Sequence, residues 1–107
     1  MSEKPQDDPV LKRFRAALDK IYGCRLTRVV LFGSRARGDA RPDSDYDIAV
    51  FLTPLGDRWE ELDRLADLRL QFLDQTEAFF DAIPYDASAY RERSPLMHDI
   101  RGEGLDL

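Results

Sequence analysis

The sequence predicts an α/β fold of the α+β kind: a small mixed β-sheet packed with helices, in the order αββαβα. Three observations predict it. Apolar residues at three- and four-residue spacing open the chain and recur in a long central segment. Two short runs rich in β-branched and aromatic residues stand between those segments, and turn formers separate the elements. At 107 residues the chain has the size of one domain and is too short for two independent cores.

Each element has its own signal. Residues 1–8 are polar and proline-punctuated, which predicts a disordered tail, with the folded domain spanning 9–107. Pro9 suits a first helical turn, and Val10, Leu11, Phe14, Ala17, Leu18 and Ile21 form one helical face that Gly23 ends. Thr27 to Phe32 and Tyr46 to Leu52 read as strands, the second closed by Pro54 and Gly56. Asp57 caps a long helix predicted to reach about Phe80, with Leu62, Leu65, Ala66, Phe72 and Leu73 facing the core. Leu68, Leu70 and Phe79 do not all fit that stripe; they belong either to a widened buried face or to a surface that binds a partner. Ile83 to Tyr90 is the expected third strand, and Ser94 to Arg101 a short last helix.

Charge and composition exclude several classes of function. With 16 Lys and Arg against 21 Asp and Glu, the net charge of -5 opposes a polyanion, so direct nucleic-acid binding is not expected. The single cysteine, Cys24, has no internal disulfide partner. A charged-then-apolar leader and a run of about 18 apolar residues are both lacking, which predicts a soluble, cytoplasmic protein without membrane association.

The chemistry concentrates in LFGSRARGDARPDSDYDIAV, residues 31–50. Gly33 and Ser34 follow a strand and precede SRAR, a stretch fit for one helical turn. Backbone N–H groups there would point at an anion, Gly33 would permit close approach, and the Ser34 hydroxyl would add a donor. The loop is neither a Walker loop nor a dinucleotide fingerprint. Asp45 and Asp47, two apart at the start of a strand, share a face and set two carboxylates side by side. Their repulsion is relieved by a hard divalent cation, and magnesium suits best because it combines protein carboxylates with substrate phosphates. Arg35 and Arg37 lie near enough for one guanidinium to meet a phosphate; which of the two stays open. Ser44 fits a turn cap before Asp45.

In combination, GSRARGDARPDSDYDIAV resembles the signature of the DNA polymerase β-like nucleotidyltransferases, and the Gly-Ser-x-Ala-Arg-Gly and Ser-Asp-x-Asp form resembles the minimal nucleotidyltransferases among them, the MNT antitoxins paired with HEPN-domain ribonuclease toxins. SPLMHDIRGEG resembles that family's closing helix, and the resemblance spans about residues 10 to 105. It implies a polymerase β-like core that binds ATP at Gly33, Ser34, Arg35 and Arg37 and holds two Mg2+ ions. It also implies AMP transfer to a hydroxyl, a tyrosine's, on a HEPN toxin with which the chain forms a hetero-oligomer. The family's third catalytic and metal-binding carboxylate, beside Asp45 and Asp47, is best matched by Asp86 in IPYDASAY, with Asp81 its rival. Pro84 requires that strand to lie at an edge or to begin there. The alternative reading is a catalytically idle antitoxin that acts by binding alone.

Overall fold

A computed structural model describes residues 7–107. Residues 1–6, most of the expected tail, lie outside the described residues. The chain runs α1 (Pro9–Tyr22), β1 (Leu26–Phe32), α2 (Ser34–Arg37), β2 (Tyr46–Leu52), α3 (Arg58–Thr76), β3 (Phe80–Asp86), α4 (Pro95–Glu103) and β4 (Leu105–Asp106), with 3-10 turns at Gly23–Arg25 and Ala87–Arg91. The sheet order is β3-β2-β1-β4. β1 is antiparallel to β2 and to β4, whereas β2 and β3 run parallel, so the sheet is mixed as predicted.

Strand alternation divides the core between two faces. Val29, Leu31, Ile48, Val50, Leu52, Phe80 and Ala82 pack under α1 and α3 against Leu11, Phe14, Leu18, Leu65, Leu68 and Phe72. Val30, Ala49 and Phe51 pack on the other face against Met97 and Ile100 of α4. That parity decides where every polar residue on β2 and β3 points.

Three elements depart from expectation. The long helix ends at Thr76, with Glu77 left-handed at φ 61°. Thr76 Oγ1 donates to Phe72 O at 2.6 Å and accepts from Ala78 N at 3.2 Å, so local side-chain bonds replace the next helical ones. Freed from the helix, Phe80 starts β3 three residues earlier than Ile83. It pays for the change in direction by stacking on Phe14 and Tyr46, at centroid distances of 4.0 and 4.6 Å, and its carbonyl accepts from Arg69 Nε. Leu68 is buried with Leu65 and Phe72, while the half-buried Leu62, Ala66 and Leu73 border that stripe. Leu70 and Phe79 remain exposed. Finally, β4 has no sequence signal; two residues of irregular chain find the open edge of β1.

β3 is an edge strand, the position Pro84 requires. Asp8 caps α1 by accepting from Val10 N at 2.9 Å and also accepts from the Tyr46 hydroxyl at 2.6 Å, tying the helix start to the start of β2. Arg25 joins β1 to α3: its Nη2 donates to Pro54 O, Leu55 O and the buried Glu61 carboxylate, which also accepts from Arg64.

Candidate active site

The site forms where β1 ends and β2 and β3 begin. Gly33 leaves β1 at φ 75°, ψ -156°, a backbone region open essentially to glycine, and caps the single helical turn α2. Its carbonyl accepts from Ala36 N and Arg37 N, both at 3.1 Å, and Gly38, left-handed at φ 86°, ends the turn. A Cβ at position 33 would also meet Asp47 Oδ2, so any larger residue there would have to push that carboxylate aside. The turn and the Asp47 carboxylate are therefore in contact across antiparallel strands, with Phe32 the register partner of Asp47.

The loop to β2 is built around Arg35. Its Nε and Nη2 donate to Ser44 O at 3.0 and 2.8 Å, Nη2 also reaches Pro42 O, and the guanidinium lies 3.9 Å from the Tyr46 ring centre. Ser44 Oγ accepts from Arg41 N at 2.8 Å, the turn closure expected of it. Arg35 thus holds the loop that delivers Asp45. Arg37 is exposed, pairs with Asp39 and Glu103 at 3.4 Å each, and is the arginine whose charge reaches Asp47.

Parity places Asp47 on the α4 side of the sheet, and Asp45, just before β2, is near enough for its charge to reach Asp47. Asp81 is on that side too, one strand over, as the register partner of Asp47. Burial, then the negative charges of Asp81 and Asp45, push the Asp47 carboxyl above its ordinary value, and only Arg37 pulls it back. Among the described residues no three such side chains already converge as a finished metal-ligand set. The donor chemistry nonetheless fits a hard divalent cation: adjacent carboxylate oxygens in repulsion, one of them reluctant to ionise, facing a glycine turn.

Asp86, the expected third carboxylate, is not brought to this cluster. It is the register partner of Leu52, at the far end of β3, roughly 16 Å from Asp81 at about 3.3 Å per residue, and its parity is that of Ala82 and Pro84 on the opposite face. Its carboxylate accepts from Ser88 Oγ at 2.6 Å, Leu55 N at 3.1 Å and Ser88 N at 3.1 Å, and these bonds hold it below the usual carboxylate range. Asp86 caps a turn. The residue that geometry supplies instead is Asp81, and the signal for it was the alternation of Phe80, Ala82 and Pro84, masked by the helix expected to run to Phe80.

Residues 11–96 match the model of the nucleotidyltransferase domain family. The chain belongs to the nucleotidyltransferase domain family. A Methanocaldococcus jannaschii protein provisionally named a protein adenylyltransferase is 41% identical over 44 residues, 41% of this chain and 44% of that protein. The matched part is thus under half of that relative's length. Among solved structures, a toxin-antitoxin with AMP-PNP superposes with a TM-score of 0.59 at 22% identity, covering 89% of this chain and 70% of the other. A mutant of the toxin-antitoxin MntA-HpeT does so with a TM-score of 0.58 at 20% identity and the same coverages. At these identities the likeness is one of fold. This nucleotidyltransferase domain has, among its described residues, no helix long and apolar enough to cross a membrane.

Proposed function

We propose that the chain is a magnesium-dependent nucleotidyltransferase antitoxin that transfers AMP from ATP to a hydroxyl, a tyrosine's, on a partner HEPN-domain toxin and so neutralises it in the cytoplasm. The observation that carries the reading is the placing of Asp47 and Asp81 on one face of the sheet, with Asp47 against the Gly33 turn and the charge of Asp45 reaching it. Family membership supports nucleotidyl transfer, the name of the M. jannaschii relative supports a protein acceptor, and the toxin-antitoxin structures support a toxin as partner.

In this reading the triphosphate lies against the N–H groups of the turn, with Arg37 near the phosphates. Asp45 and Asp47, with Asp81 beside them, would hold the two magnesium ions, which supply charge neutralisation at the phosphates and a more acidic acceptor hydroxyl. The chain's own work is positioning: Arg35 fixes the loop carrying Asp45, Gly33 admits Asp47, and Asp81, on the face of Asp47, would take up the proton that leaves the acceptor.

The test is co-expression with the neighbouring gene product, followed by incubation with α-labelled ATP and magnesium. Label on the partner, mapped to a tyrosine by mass spectrometry, is the expected result; an unlabelled partner at saturating ATP removes the enzymatic reading. Trp59 and Leu70, 77% and 65% exposed on α3, favour a second one, an antitoxin that inhibits by binding alone. Under it, Leu70→Lys would break the complex and Asp47→Asn would not relieve inhibition.

A further inference from the structure

The buried stripe of α3 is not its only apolar one. Trp59, Leu62, Ala66, Leu70 and Leu73 recur at intervals of three and four residues and form a second stripe, round the helix from Leu65, Leu68 and Phe72. It runs from the first turn of α3 nearly to the last, about 21 Å at 1.5 Å per residue. Leu62, Ala66 and Leu73 are half-buried, whereas Trp59 and Leu70, at 77% and 65% exposed, stand in water. The two margins of the stripe differ in charge. Arg58 and Arg69 lie on the core side, and Arg69 Nε is committed to Phe80 O. On the far side Asp63, Asp67 and Asp74, four and seven residues apart, line up along the helix. All three are exposed, and among the described residues none has an ion-pair partner, while Glu60 and Glu61 are paired with Arg64.

That asymmetry selects the occupant. A second copy laid antiparallel on the stripe would set the three aspartates against the same three, and the net charge of -5 opposes self-association in any orientation. An anionic lipid surface is opposed in the same way. An extended segment would find no strand edge to pair with on a helix. We infer that this face of α3 docks an amphipathic helix of another protein, one whose apolar stripe is bordered by Lys and Arg. Two helices pack by setting rows of side chains into each other's grooves, Trp59 is a large, rigid anchor for such a contact, and cations on the partner's margin would meet the unpaired aspartates. The surface is separate from the candidate active site, because α3 packs on one face of the sheet and Asp47 and Asp81 point to the other, under α4. The inference therefore goes beyond the proposed transfer and stands or falls apart from it.

Trp59 is the single tryptophan of the chain, so its fluorescence reads this surface directly. The probe, titrated into the whole chain, is a tryptophan-free amphipathic peptide of leucine, alanine and lysine, 19 residues long like α3; its counterpart carries glutamate in place of lysine. The lysine peptide should move the Trp59 emission to shorter wavelength as the indole leaves water. The glutamate peptide should bind about tenfold more weakly or worse, and the gap should narrow in about 1 M salt. Leu70→Ala should weaken the lysine peptide on the order of tenfold, and Asp63→Lys with Asp67→Lys and Asp74→Lys should turn the preference to the glutamate peptide. These four residues are exposed, so the variants should keep the parent's circular dichroism. An emission that neither peptide moves overturns the inference, and so do equal affinities for the two, which would leave the aspartates without a role. A shift that Leu70→Ala leaves at full strength overturns it as well, because the peptide then sits elsewhere. The same follows if concentrating the chain alone shifts the emission, since a second copy would cover the face. Labelling of the partner from ATP is read separately, so a failed transfer assay and a failed docking surface are told apart.

Discussion

Asp47 and Asp81 are register partners on adjacent parallel strands, their side chains on one face of the sheet, and the charge of Asp81 opposes ionisation of Asp47. Asp86, five positions further along β3, takes no part in that pairing and caps the turn at Ser88 instead. Asp81→Asn should therefore leave magnesium-dependent ATP affinity near that of the parent and slow nucleotidyl transfer by a factor on the order of 10² or more, the effect of losing one acid-base or metal-positioning group. Asp86→Asn should lower the melting temperature slightly and leave transfer intact. Labelled-ATP assays on both variants decide between them; a slow Asp86→Asn with a normal Asp81→Asn would reverse the assignment.

The raised pKa of Asp47 makes its ionisation oppose folding. A carboxyl that ionises less readily in the fold binds more protons there than in the unfolded chain, so stability falls as pH rises from the ordinary value of 3.8 through the raised one. Asp47→Asn should accordingly melt higher than the parent at neutral pH, and the difference should close as pH falls toward 3.8. Magnesium should raise the melting temperature of the parent at neutral pH and leave a variant with both Asp45→Asn and Asp47→Asn unmoved. Thermal melts across pH, with and without the metal, read both effects.

Gly33→Ala combines two faults: a side chain at φ 75° and a Cβ in the space of Asp47 Oδ2. We expect a stability loss of about 1–3 kcal/mol from the backbone alone, together with loss of ATP binding as Asp47 is displaced. Gly38→Ala is the informative comparison. Its φ is 86°, but nothing lies within 4 Å of the added Cβ, so it should cost stability and spare nucleotide affinity. Calorimetric titration of ATP into both variants separates strain from collision.

Arg25 is the fastener most exposed to mutation. It satisfies Pro54 O, Leu55 O and, at 2.7 Å, Glu61, which is only 2% exposed. Arg25→Ala should destabilise by about 3 kcal/mol, the low end of the cost of leaving a buried charge short of a partner, because Arg64 still pairs with Glu61 at 2.8 Å. Urea denaturation gives the value directly, and a change below about 0.5 kcal/mol would mean that the pair is solvent-screened.

The sequence by itself determined the alternation of helices and strands, the Gly33–Ser34 turn and the pairing of Asp45 with Asp47. These features are local: helical period, turn chemistry and the two-residue repeat of a strand act over a few neighbours, and each leaves its mark in the residues that obey it. What only the tertiary structure decided depends on partners distant in the chain. Leu68 is core because α3 rolls onto Phe14 and Phe80. Arg35 belongs to the loop because Ser44 and Tyr46 come back to meet it. Leu105 and Asp106 are strand because β1 has an open edge. Asp81 rather than Asp86 stands opposite Asp47 because the register of β3 against β2 is set by Phe80 stacking on Phe14 and Tyr46. A shift of one residue in that register would turn every side chain of β3 to the other face, and no spacing within β3 records which register the sheet adopts.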